Sequence, residues 1–207
     1  MKKNYKEIVD HYEQCLIAHG DNHLGVDWPN EDDALKRYKI MLEIVKDKKV
    51  SSTLLDFGCG TGHLLQYIID NQIENLNYSG LDISPLFVET ASSKFPEATF
   101  YQTDILEDNS ALPSFDYIIL NGVFTEKREL SQDEMWDYFC LMISKVFDKC
   151  NTGIAFNVMS KNVDWERDDL FHLSLDTLTK FLCEKLSRNF IIRNDYGLYE
   201  YTVYLLK

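Results

Sequence analysis

The sequence of 207 residues lacks a long apolar run and a cluster of basic residues, and its N-terminal segment is polar. No apolar run approaches the roughly 18 residues that a membrane span needs, and the N-terminal segment MKKNYKEIVDHYEQC has no apolar stretch of the signal-peptide kind. The formal net charge is −13, and Asp47 interrupts even the densest basic run, at 46–49. These absences predict a cytoplasmic protein that binds neither an anionic membrane surface nor nucleic acid.

Paired cysteines are also missing. None of the five cysteines forms a CxxC pair, so the spacing of a zinc ribbon is absent, and their odd number favours reduced thiols. A free cysteine usually packs as a small apolar side chain. The sequence therefore predicts no disulfide framework and no metal site.

The chain alternates between helix-like and strand-like stretches, without repeats or low-complexity segments. Apolar spacing predicts helices at about 5–18, 31–47, 63–70, 85–95, 132–147 and 175–186. Short apolar runs predict strands at 54–57, 77–83, 98–102, 115–124, 153–160, 190–195 and 199–207. This order predicts a doubly wound α/β domain whose ligand binds beyond the carboxyl ends of the strands. The last two strands are expected to form an antiparallel pair around Gly197.

The stretch LLDFGCGTGHL, at 54–64, combines a strand, a tight turn and the start of a helix. Its glycines, Gly58, Gly60 and Gly62, allow a sharp backbone turn and close approach to a ligand. The third glycine comes one residue too early for a dinucleotide-binding turn. Asp56, two residues before the first glycine, suits a cationic amino group rather than a pyrophosphate.

This stretch resembles the first motif of the class I S-adenosylmethionine-dependent methyltransferases, and the resemblance extends from about Ser51 to the C-terminus. It implies a Rossmann-like methyltransferase fold with a mostly parallel, seven-stranded sheet and a C-terminal antiparallel hairpin. It also implies S-adenosylmethionine as the cofactor and S-adenosylhomocysteine as the product.

The same resemblance assigns cofactor-binding roles residue by residue. Asp56 would hold the amino-acid end of the cofactor, Asp82 both ribose hydroxyls and Asp104 the adenine amino group. The other implied contacts are the turn residues, the apolar walls and an amide that lines the methionine moiety: Gly58, Cys59, Gly60, Gly62, Ile83, Ile105 and Asn121. Arg37 could bind the cofactor carboxylate as a bidentate donor, although a surface position is an equally good interpretation.

Two further segments, one near the N-terminus and one after the fifth predicted strand, bear on the methyl acceptor. The segments HGDNHLGVDWPN and VDWERDDLFH, together with Arg37 and Tyr38, resemble small stand-alone bacterial methyltransferases linked to surface-polysaccharide or other secondary biosynthesis. The resemblance implies a small-molecule acceptor, such as a sugar, a nucleotide sugar or a phosphorylated metabolite. We expect residues 1–48 to form a helical lid packed on a core of residues 49–207.

A general base is needed if the acceptor is a hydroxyl, and histidine titrates near the working pH. The candidates are His11, His19, His23 and His172, of which the two in polar, aromatic loops, His23 and His172, are preferred. His63 follows the glycine turn and is expected to cap or pack near the cofactor. Candidate substrate-wall residues are Trp28, Trp165, Arg167 and Tyr199.

Three other functions remain open from the sequence: a protein or tRNA methyltransferase, a non-catalytic binding subunit with this fold, and a dehydrogenase. The negative net charge disfavours tRNA. Retention of Asp56, the three glycines and Asp82 disfavours the binding subunit, and the glycine spacing disfavours the dehydrogenase. The sequence leaves open whether the chain is a monomer or a homodimer.

Overall fold

A computed structural model describes residues 5–47, 49–107 and 112–207. The helices are α1 (Lys6–His19), α2 (Glu31–Leu42), α3 (His63–Asp70), α4 (Pro85–Lys94), α5 (Gln132–Asp148) and α6 (Leu175–Lys185), with a 3-10 turn at His23–Val26 between α1 and α2. The strands are β1 (Ser52–Phe57), β2 (Leu76–Asp82), β3 (Thr99–Gln102), β4 (Phe115–Phe124), β5 (Cys150–Ser160), β6 (His172–Leu173), β7 (Phe190–Arg193) and β8 (Glu200–Leu206).

Four of the helices begin at side-chain caps that the sequence supplies. Each cap side chain accepts a hydrogen bond from a backbone N–H in the first turn of its helix. The caps are Asn30 on α2, Ser84 on α4, Ser131 on α5 and Ser174 on α6. Pro85 starts α4 and Glu134 completes a capping box on α5. These local signals explain why the predicted starts of these helices are correct.

The strands form one sheet in the order β3-β2-β1-β4-β5-β8-β7, and the two-residue β6 pairs with β5. β1 is parallel to β2 and β4, β3 is parallel to β2, and β4 is parallel to β5. β8 lies antiparallel between β5 and β7. The doubly wound sheet with a C-terminal antiparallel pair is thus confirmed.

Alternate residues of the central strands face opposite layers of the core. The layer of α5 and α6 packs against Leu55, Ile118, Leu120 and Ile154. The layer of α2 and α3, on the other face, packs against Leu54, Ile119 and Ala155. A sheet covered on both faces produces the continuous apolar runs seen in these strands. Because α2 covers the sheet, it is a layer of the core as well as part of the N-terminal segment.

The main differences from the predicted elements have local causes. α2 ends at Leu42, five residues early, but Ile44 and Val45 remain buried against the same layer. The apolar pattern therefore continues beyond the helix. β5 begins at Cys150, which pairs with Phe115. The short β6 was not predicted, because two residues carry no periodicity.

The predicted lid, residues 1–48, includes residues 1–4 and Lys48, which lie outside the described ranges, and the division at that boundary remains a prediction. Within the described ranges, no helix has both the length and the apolar character needed to cross a bilayer.

Candidate active site

A large cavity opens at the carboxyl ends of β1, β2 and β4, where the sheet order reverses between β1 and β4. Ligands of doubly wound sheets bind at this switch point. The cavity has an empty volume of about 1110 Å³, including its open mouth. Its walls come from the glycine turn, the strand ends and the N-terminal segment.

The glycine turn is hydrogen-bonded to the end of β2. The amides of Gly58 and Cys59 donate to the Leu81 carbonyl at 2.7 and 3.0 Å, and the Gly60 amide donates to Asp82 Oδ2 at 2.9 Å. Gly60 has a φ of 53°, a conformation that favours glycine. The turn therefore brings backbone groups to the cavity wall, and its Gly60 amide also holds the Asp82 side chain in place.

Two buried carboxyl groups lie in the wall beside this turn. Asp56 is 3% exposed and accepts a hydrogen bond from the Tyr78 hydroxyl at 2.9 Å, while Asp82 also accepts from the Ser84 amide. Burial raises the pKa of Asp56 to about 7. The hydrogen bond from Tyr78 lowers this pKa in part, and the nearby charge of Asp82 raises it further. Burial raises the pKa of Asp82 to about 6, opposed by its backbone hydrogen bonds. A cationic ligand would restore the charged form of both groups.

Asp104 lies at another part of the cavity wall, after β3. Its Oδ2 accepts from the Tyr5 hydroxyl at 2.6 Å and its Oδ1 from the Leu106 amide at 2.9 Å. The Tyr5 ring stacks on Tyr138, 5.2 Å between centroids, and both rings line the cavity with Ile105. This end of the cavity combines one carboxylate with two stacked aromatic rings and an aliphatic side chain.

The end of β4 contributes an amide and a close backbone contact. Among the described residues, Asn121 Oδ1 is buried without a hydrogen-bond partner although Asn121 lines the cavity. An unpaired buried acceptor costs about 1–3 kcal/mol, so this oxygen is suited to a donor on a ligand. Gly122, with a φ of 80°, allows Trp28 to pack closely, since a Cβ there would lie 2.7 Å from the indole ring.

Arg37 does not line the cavity, which corrects the prediction that it binds the cofactor carboxylate. Its guanidinium donates to both carboxylate oxygens of Glu200, from Nε at 3.0 and 2.9 Å and from an Nη at 2.9 Å, and lies 4.2 Å from the Trp28 ring centroid. Glu200 in turn accepts from Asn157, whose Oδ1 accepts from the Gly122 amide. With Nε and one Nη bound to Glu200 and the guanidinium against the Trp28 ring, Arg37 supports the wall through Trp28 and Gly122.

His172 is the second correction. Its Nδ1 lies 2.6 Å from the Ser160 carbonyl, its Nε2 accepts from the Arg167 amide at 3.2 Å, and the residue is 3% exposed. Both ring nitrogens are engaged away from the cavity, so His172 holds β5 and the following loop together. A general base needs a free lone pair near the substrate.

The other predicted substrate-wall residues separate into two groups. Trp28 lines the cavity, whereas Trp165, Arg167 and Tyr199 do not. Trp165 is 74% and Tyr199 60% exposed, the Tyr199 hydroxyl donates to Asp164, and Arg167 pairs with Asp169. A polar loop with aromatic residues predicted a binding role, but here Trp165 is exposed and the backbone of the loop is hydrogen-bonded to the segment after β4, through Asp169 and Phe171.

His23 also lies outside the cavity lining, although its Nδ1 is 2.6 Å from the carbonyl of Trp28, which lines it. His63 lines the cavity and bonds to Asp21 at 2.8 Å, which fits its expected position near the glycine turn. Gly62 does not line the cavity. It is the residue before α3, has a φ of 83°, and packs against the Phe95 ring. The remaining residues of the predicted cofactor set line the cavity: Asp56, Gly58, Cys59, Gly60, Asp82, Ile83, Asp104, Ile105 and Asn121.

Sequence reasoning missed much of the wall supplied by α1. Tyr5, Ile8, Val9 and Tyr12 all line the cavity. They have the i, i+3, i+4, i+7 spacing of one helix face, but the sequence did not show which surface that face covers. Phe87 and Tyr138 were missed for the same reason.

The strand order with an antiparallel β8 and the cavity at the switch point define a doubly wound α/β protein with a small-molecule site whose carboxyl groups suit a cationic ligand. Residues 55–135 match the sequence model of a family described as methyltransferase domain. A Mycobacterium tuberculosis protein whose name assigns it provisionally to the methyltransferases is 30% identical over 158 residues, covering 73% of this chain and 91% of that protein. The chain belongs to the class I S-adenosylmethionine-dependent methyltransferases.

Two solved structures share the fold at low identity. Magnesium protoporphyrin IX methyltransferase from Synechocystis, with bound S-adenosylmethionine, has a TM-score of 0.63 at 16% identity and covers 99% of this chain and 94% of its own. The N-methyltransferase NodS from Bradyrhizobium japonicum, with S-adenosylhomocysteine, has a TM-score of 0.65 at 15% identity and covers 95% and 96%.

The polar groups of the cavity suit S-adenosylmethionine. The backbone of the glycine turn lines the cavity together with Asp56 and Asp82, the buried Asn121 oxygen has no hydrogen-bond donor among the described residues, and Asp104 lines the cavity with two tyrosine rings and Ile105. The chain is a methyltransferase, and S-adenosylmethionine supplies the activated methyl group.

Proposed function

We propose that this enzyme methylates an uncharged small molecule, with a sugar as the favoured acceptor among those implied by the sequence. The observation that carries the proposal is the chemistry of the cavity wall. Its described residues include aromatic rings, backbone and amide groups and three aspartates, but no lysine or arginine. Binding of a phosphate normally uses such cations, which disfavours a phosphorylated metabolite or nucleotide sugar.

The cofactor is proposed to bind through the residues that the resemblance implied. Asp56 and the unpaired Asn121 oxygen would hold the amino-acid end, Asp82 the ribose and Asp104 the adenine. The buried Asp56 and Asp82 carboxyls, with raised pKa values, favour a positively charged ligand. The acceptor would then lie toward Trp28 and Tyr12, in line with the methyl group and shielded from water.

His23 remains our proposed general base for a hydroxyl acceptor. Its Nδ1 lies 2.6 Å from the Trp28 carbonyl, which favours a proton on Nδ1 and leaves the lone pair on Nε2. The residue is half-buried in the 3-10 turn, three residues before Val26, which lines the cavity. Only this histidine of the preferred pair keeps a ring nitrogen suited to accept a proton.

The test is a screen of matched acceptors, in which release of S-adenosylhomocysteine is measured for a free sugar, the same sugar as its phosphate and the same sugar as a nucleotide conjugate. We expect turnover with the uncharged member. Turnover confined to the phosphorylated members would contradict the proposed acceptor class. A chain that does not bind S-adenosylmethionine in calorimetry would contradict the proposed site as a whole.

The base is tested with His23→Ala and, as a matched control, His19→Ala at the exposed end of α1. We expect His23→Ala to lower kcat by roughly 10²-fold or more while the affinity for S-adenosylmethionine is kept, and His19→Ala to leave both unchanged. Equal turnover of the two variants would remove His23 from the mechanism.

A further inference from the structure

A second cluster of chemically reactive side chains lies beside the cavity, between α1 and the 3-10 turn. His11 and Cys15 are four residues apart on α1 and so share one face. Asp27 ends the 3-10 turn in a left-handed conformation, with a φ of 58°, which directs the chain back toward that face. Two elements thus bring together an imidazole, a thiol and a carboxylate.

The ligand atoms converge on one small volume. His11 Nε2 lies 2.8 Å from Asp27 Oδ2 and 3.7 Å from Cys15 Sγ, and all three ligand atoms are within 4.8 Å of one another. Zinc–ligand distances of about 2.0–2.3 Å in a tetrahedron separate nitrogen from sulfur by about 3.6 Å and nitrogen from oxygen by about 3.4 Å. The nitrogen–sulfur distance already fits, and the His11–Asp27 distance needs to widen by roughly 0.6 Å.

We propose that His11, Cys15 and Asp27 bind a zinc ion through three protein ligands with an open fourth position. A thiolate, an imidazole and a carboxylate form a donor set suited to zinc and unsuited to magnesium or calcium, which prefer oxygen ligands. With Cys15 as thiolate and Asp27 ionised, the two negative charges balance the dication.

The surroundings allow an ion to enter and to be held. All three residues are half-buried, so the cluster is neither sealed nor fully solvated. Because zinc binds cysteine as the thiolate, the thiol proton of Cys15 would pass to the buffer as the sulfur–metal bond forms.

The proposed zinc site lies next to residues that line the cavity. Tyr12 follows His11, and Val26 and Trp28 flank Asp27, and all three of these neighbours line the cavity. A metal that joins α1 to the 3-10 turn would fix these wall residues relative to one another. The proposal concerns an ion site beside the cavity and does not depend on the identity of the methyl acceptor.

The test uses the full chain, freed of metal with a chelator and titrated with cobalt, which reports zinc sites by absorption. We expect a thiolate-to-cobalt charge-transfer band that saturates at one ion per chain and disappears when zinc is added. Zinc titration in buffers of different ionisation enthalpy should show release of about one proton per ion. Absence of the charge-transfer band would overturn the proposal.

Matched variants separate this site from other thiols. Cys15→Ser should abolish the charge-transfer band, whereas Cys183→Ser, on α6, should keep it. Asp27→Asn should weaken zinc binding by roughly tenfold or more. Each variant is first shown to fold by circular dichroism and by S-adenosylmethionine binding. A band that survives in Cys15→Ser, or equal zinc affinity of wild type and Asp27→Asn, would overturn the assignment.

Discussion

At the scale of the residue, the two buried carboxyl groups of the cavity link folding and ligand binding to pH. The pKa of Asp56 is raised to about 7 and that of Asp82 to about 6, from 3.8 for an unperturbed carboxyl. Between pH 3.8 and about 7, these two groups therefore bind more protons in the folded protein than in the unfolded chain. Their contribution to stability is fully present below pH 3.8 and is lost as the pH rises through 6 to 7.

The binding of S-adenosylmethionine should have the opposite pH dependence. Because the proposed contacts need ionised carboxylates, we expect the affinity to increase by at least about tenfold between about pH 5 and pH 8. Calorimetry across that range measures it. Asp56→Asn should bind more weakly at pH 8 and lose most of the pH dependence, and a wild-type affinity that is constant across the range would contradict the role of these carboxylates.

At the scale of the element, α1 is held over the cavity by polar contacts as well as by its apolar face. The Tyr5 hydroxyl donates to Asp104 and the Ser84 hydroxyl donates to Glu13. Asp21, just beyond the helix, accepts from Thr61 and pairs with His63 and Lys94. These contacts join α1 and the residues after it to the ends of β1, β2 and β3, the place where a lid would have to open.

If the N-terminal segment acts as the predicted lid, Tyr5→Phe should loosen it. The change removes one hydrogen bond to a carboxylate and keeps the ring that stacks on Tyr138. Association and dissociation of S-adenosylmethionine should both become faster, by up to roughly tenfold, with a smaller change in Kd. Stopped-flow fluorescence measures both rates.

Tyr101→Phe is the matched control for the lid prediction, because Tyr101 is half-buried on β3 outside the cavity lining. It should leave both rates unchanged. If Tyr5→Phe also leaves both rates unchanged, the cofactor enters without displacement of α1, and the lid assignment fails.

At the scale of the whole molecule, an aromatic cluster joins the layers on one face of the sheet. Phe139, fully buried on α5, contacts rings from β4, β5, α6 and the segment before β6: Phe124, Phe156, Phe181 and Phe171. Trp136 stacks on it one turn earlier. Since the strands and helices of this layer meet at one side chain, its loss affects the entire fold.

Phe139→Ala should lower the free energy of unfolding by about 3–5 kcal/mol, through lost burial and the cavity left behind. Urea denaturation followed by circular dichroism measures the change. Trp165→Ala removes an even larger ring, but at a site that is 74% exposed, and should change stability by less than about 0.5 kcal/mol. Similar losses for both variants would contradict the central position of Phe139.

How much of the site could be predicted depends on whether its residues lie next to a motif. Asp56, Asp82, Asp104 and Asn121 all line the cavity, as expected for residues in or just after the strands that the sequence predicts. The contacts of Arg37 with Glu200 and of His172 with the Ser160 carbonyl could not be predicted, because each joins separate elements of the fold. Tyr5 and Tyr138 were missed because a helix face shows its period but not the surface that it covers.

The sequence by itself determined the order of helices and strands, the parallel sheet and the glycine turn, because helix caps, apolar periods and turn glycines act over a few residues. It also determined the family. Only the tertiary structure decided which polar side chains remain available to a ligand, since this depends on distant partners: Arg37 is used by Glu200, while the Asn121 oxygen is left unpaired. The grouping of His11, Cys15 and Asp27 is of the same kind, because a helix face and a separate turn have to meet before those ligand atoms converge.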